Sequence, residues 1–179
     1  MTRIVSVALY SRGGPVAAGG SQKTLGSKTY HWGILVSPER STGRDCAAYH
    51  ATDKSYLDTT TYRMVNPEMK WYFEAKENIN PELSTKLVGH LVIGKVPDKA
   101  TAADIKAVFN SVPLPVKNQN PQQDCKTWIV NAIQALQKLK WASTFDVKKF
   151  MDYAVLYADD RMKGTTSKEP KMKVYVPKK

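Results

Sequence analysis

The stretch Gln119-Asn-Pro-Gln-Gln-Asp-Cys125-Lys-Thr-Trp-Ile-Val-Asn-Ala-Ile-Gln-Ala-Leu-Gln-Lys-Leu139 joins a polar loop to a strongly periodic segment that begins at a cysteine. From Cys125 onward, apolar residues recur at the i, i+3, i+4 and i+7 spacing of one buried helical face. Pro121 disfavours helix before it, and the Asp124 side chain can cap the free amides of a first helical turn. The stretch therefore predicts a helix whose first residue is Cys125.

Cys125 is the first candidate for chemistry. A thiol at a helix N-terminus lies over amides whose partial positive charge favours the thiolate. We therefore expect a lowered pKa for Cys125, as a nucleophile requires. The alternative is that Cys125 is only a small buried hydrophobic residue. The rest of the chain decides between these interpretations.

The positive charge of the chain is unevenly distributed. The net charge is +11 over 179 residues, and residues 161–179 hold seven of the 27 basic residues but only one of the 16 acidic ones. The remainder lacks a dense basic run interleaved with aromatic residues, so we expect no specific nucleic-acid partner. We predict a single domain over residues 1–163 and a basic tail over 164–179. The tail would make weak contact with anionic surfaces, or add a late edge strand.

The sequence carries no signal for export or for membrane insertion. The apolar run within residues 1–10 is short and ends at Ser11-Arg12, which favours a strand over a signal peptide. No run approaches the ~18 apolar residues that could span a bilayer. Two cysteines without an export signal indicate free thiols in a reducing compartment, and hence a cytoplasmic location.

Predicted strands occupy the first half of the chain and predicted helices the second. The strands are residues 3–10, 30–36, 46–52, 69–75 and 87–96, and the helices begin near residues 101, 125 and 145. This pattern predicts an α+β fold in which an antiparallel sheet packs against the helix that carries Cys125. The glycine-rich residues 11–24 lack the lysine of a phosphate-binding loop, and we interpret them as a flap beside a substrate groove.

Two of the three histidines lie in neighbouring predicted strands. A hairpin from residues 30–36 to 46–52 would set His31 beside His50, within reach of a cysteine on the packed helix. We interpret His90 as a core histidine and Cys46 as a packed thiol. A zinc site built from both cysteines with His31 and His50 would lack the paired ligand spacing typical of such sites, so no metal and no cofactor is expected.

The segments His31-Trp-Gly-Ile-Leu-Val, Tyr49-His50 and Asp124-Cys-Lys-Thr-Trp-Ile together resemble the circularly permuted branch of the NlpC/P60 papain-like superfamily. Lecithin:retinol acyltransferase-like proteins show a similar strand histidine, a second histidine on the next strand and a cysteine that opens a helix. PPPDE peptidases show a related order of a histidine followed by a cysteine at a helix start. The resemblance covers roughly residues 28–140 and implies that Cys125 is the nucleophile, His31 the general base and His50 its orienting partner. It also implies oxyanion or substrate contacts from Gln119, for which Gln122 and Gln123 compete, and from residues beside the catalytic positions, namely Asp124 and Trp32.

The function implied is a thiol-dependent hydrolase or acyl transferase that forms a covalent acyl-cysteine intermediate. Its substrate would be a peptide or a small amide or thioester, and an amine could serve as acceptor. The alternative is a non-catalytic binding module of the same fold that recruits acidic partners through its basic tail.

Overall fold

The computed structural model describes residues 2–12 and 30–178. The interpretation of residues 11–24 as a flap therefore falls, from Gly13 onward, outside the described residues. The strands of the described part are β1 Arg3–Ser11, β2 Tyr30–Pro38, β3 Cys46–Thr52, β4 Tyr56–Asp58, β5 Arg63–Val65, β6 Tyr72–Ile79, β7 Leu87–Val96 and β8 Met172–Val174. The α-helices are α1 Ala102–Asn110, α2 Cys125–Lys138 and α3 Val147–Arg161.

Six of these strands form one sheet in the order β6-β3-β2-β1-β7-β8. Neighbouring strands are antiparallel except for β7 and β8, which run parallel. Strands β4 and β5 form a separate hairpin. The predicted α+β fold is confirmed, and the sheet predicted to be antiparallel is so except at β8.

The two faces of the sheet pack against different sets of residues. On β2, Trp32 and Ile34 belong to the main core with the buried residues of all three helices. Because side chains alternate along a strand, His31 and Gly33 lie on the opposite face, beside a smaller apolar cluster that includes Leu35. None of the helices among the described residues is long and apolar enough to cross a membrane.

The strand predicted at residues 69–75 begins three residues later, at Tyr72. Asn66 holds the preceding turn, because its side chain bonds to both the backbone N–H and the carbonyl of Lys70. Asn66 and Met69 both adopt positive φ, outside the extended region that a regular strand uses. The β4–β5 hairpin was missed because strands of three residues are too short to display a periodicity.

The last described segment is packed against the domain. β8 pairs with β7, and the ring of Tyr175 lies 4.8 Å from that of Phe150 and 5.1 Å from that of Phe145, centroid to centroid. Lys171 and Lys173 form ion pairs with carboxylates at 3.0 and 2.6 Å. Part of the positive charge assigned to a tail is therefore neutralised at the edge of the sheet.

Candidate active site

Helix α2 begins at Cys125, as its periodicity predicts, and Asp124 is its N-cap. The Asp124 carboxylate accepts a hydrogen bond from the Lys126 backbone N–H at 2.8 Å, while the Asp124 N–H donates to Thr127 Oγ1 at 3.1 Å. This reciprocal capping satisfies two backbone donors that a helix start leaves without partners. The cap fixes the position of the sulfur at the edge of the core.

The Cys125 sulfur is enclosed by donors. The residue is 2% exposed, and the backbone N–H of Trp32 lies close enough to Sγ to favour the thiolate form. Arg12, which directly follows β1, donates from Nη2 to Sγ at 3.5 Å. Since the Trp32 N–H belongs to the peptide bond after His31, the sulfur lies against the backbone of the residue predicted to be its base.

The expected lowering of the thiol pKa is not found. Burial raises the pKa of Cys125, and the nearby Asp124 carboxylate adds to this effect. The Trp32 N–H and the Arg12 guanidinium act in the opposite direction without reversing it. The first turn of α2 gives partial charges only, whereas enclosure removes the solvation that a thiolate needs. In this structure Cys125 is a neutral thiol at neutral pH.

His31 and His50 meet where β2 and β3 separate. The β2–β3 ladder extends only from Ile34↔Tyr49 to Val36↔Ala47, so the next residues of both strands diverge. His31 Nε2 lies 2.6 Å from His50 Nδ1, with the two rings in an edge arrangement. The glycine at position 33 keeps this gap open, because a Cβ there would lie 3.3 Å from the Tyr49 carbonyl oxygen and 3.5 Å from His50 Cβ.

Glu74 extends the pair into a chain of three side chains. It stands opposite His50 in the β3–β6 register, and its Oε1 lies 2.7 Å from His50 Nε2. Lys76 reaches the same carboxylate oxygen at 3.2 Å. Burial raises the pKa of Glu74, but the His50 hydrogen bond and the Lys76 charge outweigh it, so that the pKa is lowered overall. Glu74 is therefore ionised.

The ionised Glu74 fixes the tautomers of both histidines. A carboxylate only accepts, so His50 Nε2 carries the proton and His50 Nδ1 is an acceptor. His31 must then donate from Nε2, which leaves its Nδ1 unprotonated and free to accept a proton. The chain of hydrogen bonds thus prepares His31 Nδ1 as a base.

Both histidines are neutral near pH 7. Burial lowers the pKa of His31 to about 3, with further lowering from the His50, Arg12 and Lys76 charges. Burial also lowers the pKa of His50, against the opposing effect of Glu74. Burial lowers the pKa of His90 to about 4. All three histidines therefore resist protonation in the folded protein.

These shifts predict an acid-sensitive fold. Unfolded histidines bind protons below about pH 6.5, whereas the folded ones remain neutral, so the free energy of unfolding decreases as the pH falls from 6.5 to 5. Each fully shifted histidine contributes about 1 kcal/mol per pH unit. Urea titrations across this range should give a steadily falling midpoint. His90→Gln should flatten the slope, and a constant midpoint would contradict the neutral assignment.

A cleft of about 930 Å³ opens on the face of the sheet opposite the helices. Its walls include His31, His50, Glu74 and Arg12. Cys125 is not among the described wall residues, and no hydrogen bond joins its sulfur to His31. Arg12 is the side chain that touches both the cleft and the sulfur. The thiol therefore lies behind the cleft, separated from it by the end of β2 and by Arg12.

Most of the chain matches one protein family. A family model described as "Family of unknown function (DUF6914)" matches residues 3–172. The chain belongs to the DUF6914 family. No curated protein and no solved structure matches it significantly.

The other predicted site residues of this DUF6914 chain lie away from the cleft wall. Gln119 is exposed on the loop, and Gln123 Oε1 is taken up by the Val116 backbone N–H at 2.9 Å. Asp124 uses both its carboxylate and its N–H for capping. The Trp32 side chain is buried in the core that also contains Cys125, and its backbone N–H lowers the pKa of the thiol.

Arg12 and Glu74 are the functional candidates that the sequence analysis missed. The pairing Tyr10↔His31 places the residues after β1 beside the start of β2, which a hairpin prediction could have used. Within the described ranges, no cluster of three or more potential ligands could hold a metal ion. Cys46 is buried away from the histidines and donates to Asp45 Oδ1 at 3.3 Å.

Proposed function

We propose that this chain is a cysteine-dependent hydrolase or acyl transferase with a permuted papain-like arrangement of its catalytic residues. The observation that supports it best is the chain Glu74–His50–His31, whose fixed tautomers leave a free basic nitrogen on the residue that borders the Cys125 sulfur. A nucleophilic pair requires such a basic nitrogen within reach of the thiol. Both cysteines are free, as expected for cytoplasmic chemistry.

The reaction begins from the neutral pair. His31 Nδ1 removes the thiol proton as sulfur attacks the carbonyl carbon, and the resulting imidazolium is stabilised through His50 by the Glu74 carboxylate. The tetrahedral intermediate expels its amine or thiol, which takes the proton from Nδ1. Water or an amine then attacks the acyl-cysteine, again with His31 as base. Hydrolysis or acyl transfer completes the cycle.

The oxyanion is stabilised by the donors that point at the sulfur. In the tetrahedral intermediate the former carbonyl oxygen is bonded to the carbon attached to Sγ, so it lies close to both the Trp32 N–H and Arg12 Nη2. A guanidinium stabilises such an oxygen more strongly than it does a neutral thiol. This replaces the implied role of Gln119, which lies exposed on the loop.

The burial of Cys125, the raised pKa of its thiol and the lowered pKa of His31 favour the alternative, a binding module without turnover. A thiol that stays enclosed and protonated would not attack a carbonyl. The alternative loses support from the C-terminal segment, where Lys171 and Lys173 are already paired with carboxylates of the domain.

Acylation by p-nitrophenyl acetate tests the proposal. We expect release of p-nitrophenolate and an acetyl adduct that intact mass detects and peptide mapping locates at Cys125. Cys46 serves as an internal control, because it is equally buried but has no histidine beside it. Equal acetylation of both cysteines, or a Cys125 adduct that never turns over, would contradict the proposal.

Glu74→Gln should lower kcat about 10- to 100-fold and leave KM nearly unchanged. Glutamine keeps an acceptor for His50, but it removes the negative charge that stabilises the imidazolium and no longer enforces one tautomer. Glu77→Gln is the matched control, since Glu77 lies on the same strand and pairs with Lys106 instead. Steady-state kinetics with p-nitrophenyl acetate measures kcat and KM for both variants. An equal effect of the two substitutions would contradict the positioning role of Glu74.

A further inference from the structure

The walls of the cleft carry an excess of positive charge. Five cationic side chains line it, against two carboxylates, Asp53 and Glu74. The cationic residues are Arg12, Arg44, Lys54, Lys76 and Lys86. Glu74 is already engaged by His50 and Lys76. The potential inside the cleft is therefore positive at neutral pH.

Three of these cations come from separate segments and converge on the same space. Arg44 precedes β3, Lys54 follows it, and Lys86 precedes β7. None of the three forms an ion pair with another described residue, although several lysines elsewhere on the surface do. Lys54 lies 5.5 Å from the centroid of the Tyr56 ring. Their charges remain available to a ligand.

Arg12 connects this field to the reacting sulfur. Its guanidinium lines the cleft and lies 3.5 Å from Sγ, a neutral acceptor that compensates a full positive charge poorly. A concave wall of one charge concentrates ligands of the opposite charge at the point where the field converges. In this protein Arg12 links the cationic cleft to the Cys125 sulfur.

We propose that the cleft selects acyl substrates that carry a negatively charged group, a carboxylate or a phosphate, and delivers them to Cys125. This inference rests on the proposed function for the chemistry at the sulfur. Arg44, Lys54 and Lys86 bind the anionic group, while Arg12 remains at the carbonyl. Neutral acyl compounds of similar size react more slowly because they gain nothing from this field.

Competition between two alkylating reagents tests the selection at the sulfur. Iodoacetate and iodoacetamide both form a carbon–sulfur bond and release iodide, and they differ mainly in charge. The quantity compared is the alkylation rate with iodoacetate divided by the rate with iodoacetamide. At low salt we expect this ratio to be about tenfold higher for Cys125 than for the thiol of glutathione. Added salt should reduce it, since exposed charges are screened.

A matched pair of triple variants separates the cleft from the overall charge. Arg44→Gln/Lys54→Gln/Lys86→Gln should bring the ratio down to that of glutathione. Lys99→Gln/Lys138→Gln/Lys148→Gln removes the same charge from exposed positions outside the described cleft wall and should leave the ratio unchanged. A wild-type ratio equal to that of glutathione, or equal effects of the two variants, would overturn the inference.

A second measurement does not depend on the thiol. Trp71 lines the cleft, whereas Trp32 and Trp128 are fully buried. The fluorescence of Trp71 is the emission that disappears in Trp71→Phe. Iodide should quench this emission more strongly, relative to neutral acrylamide, in the wild type than in the cleft triple variant. If Cys125 resists both reagents, the proposed function fails and the iodide result alone decides the charge of the cleft. Equal quenching in both proteins would overturn the anionic preference.

Discussion

Cys125→Ala should abolish p-nitrophenolate turnover and the acetyl adduct, with a loss on the order of 10⁴-fold or more. No other side chain beside His31 Nδ1 supplies a nucleophile in the proposed mechanism. The fold should survive, because alanine favours the first turn of a helix and the lost sulfur leaves only a small space. Stopped-flow and steady-state kinetics measure the loss of activity, and a thermal melt measures whether the fold survives.

The natural control is Cys46→Ala. Cys46 is also a buried free thiol, at 1% exposure, but its neighbours are Ser41 and Asp45 rather than a histidine. This variant should keep full activity. Full activity in Cys125→Ala, or an equal loss in both variants, would end the assignment of the nucleophile.

His31→Ala should cost as much as the loss of the cysteine. The thiol is neutral in the resting protein, so without His31 nothing removes its proton during attack. Residues that act as a unit are not additive, and the double variant with Cys125→Ala should be no slower than either single variant. Single-turnover acetylation rates measure this directly.

Two further histidine variants sharpen the result. His50→Asn should retain partial activity, because an amide can still accept from His31 Nε2. His90→Ala should leave kcat unchanged, since His90 lies on β7 and the ladder places it beside Ala8, away from the chain of three side chains. A larger kinetic defect in His90→Ala than in His31→Ala would mean that the wrong histidine has been assigned as the base.

The elements that position the site could be predicted because each follows from local patterns. The helical periodicity after Cys125 and the capping Asp124 located the start of α2, and the strand runs around His31 and His50 placed both histidines on adjacent strands. Pairing of the two histidines needed only that β2 and β3 be neighbours. These are properties of segments shorter than about fifteen residues.

The missing parts depend on contacts between distant segments. Glu74 lies opposite His50 because of the β3–β6 register. The sequence could not predict this register, since the predicted strand began three residues before the observed start of β6. The pKa of Cys125 is set by enclosure under β2 and Arg12, and no periodicity within α2 reports on that enclosure. The position of the cleft opposite the helices likewise follows only from the complete sheet order.

The early end of the β2–β3 ladder has a consequence for hydrogen exchange. Beyond Ile34↔Tyr49, the strand ends that carry His31 and His50 can part without breaking a ladder bond between β2 and β3. Such a local opening requires less free energy than global unfolding. Since the Trp32 N–H lies beside the Cys125 sulfur, its deuterium uptake should report exposure of the thiol to solvent. The exchange rate of this single amide would measure how often the buried nucleophile becomes accessible.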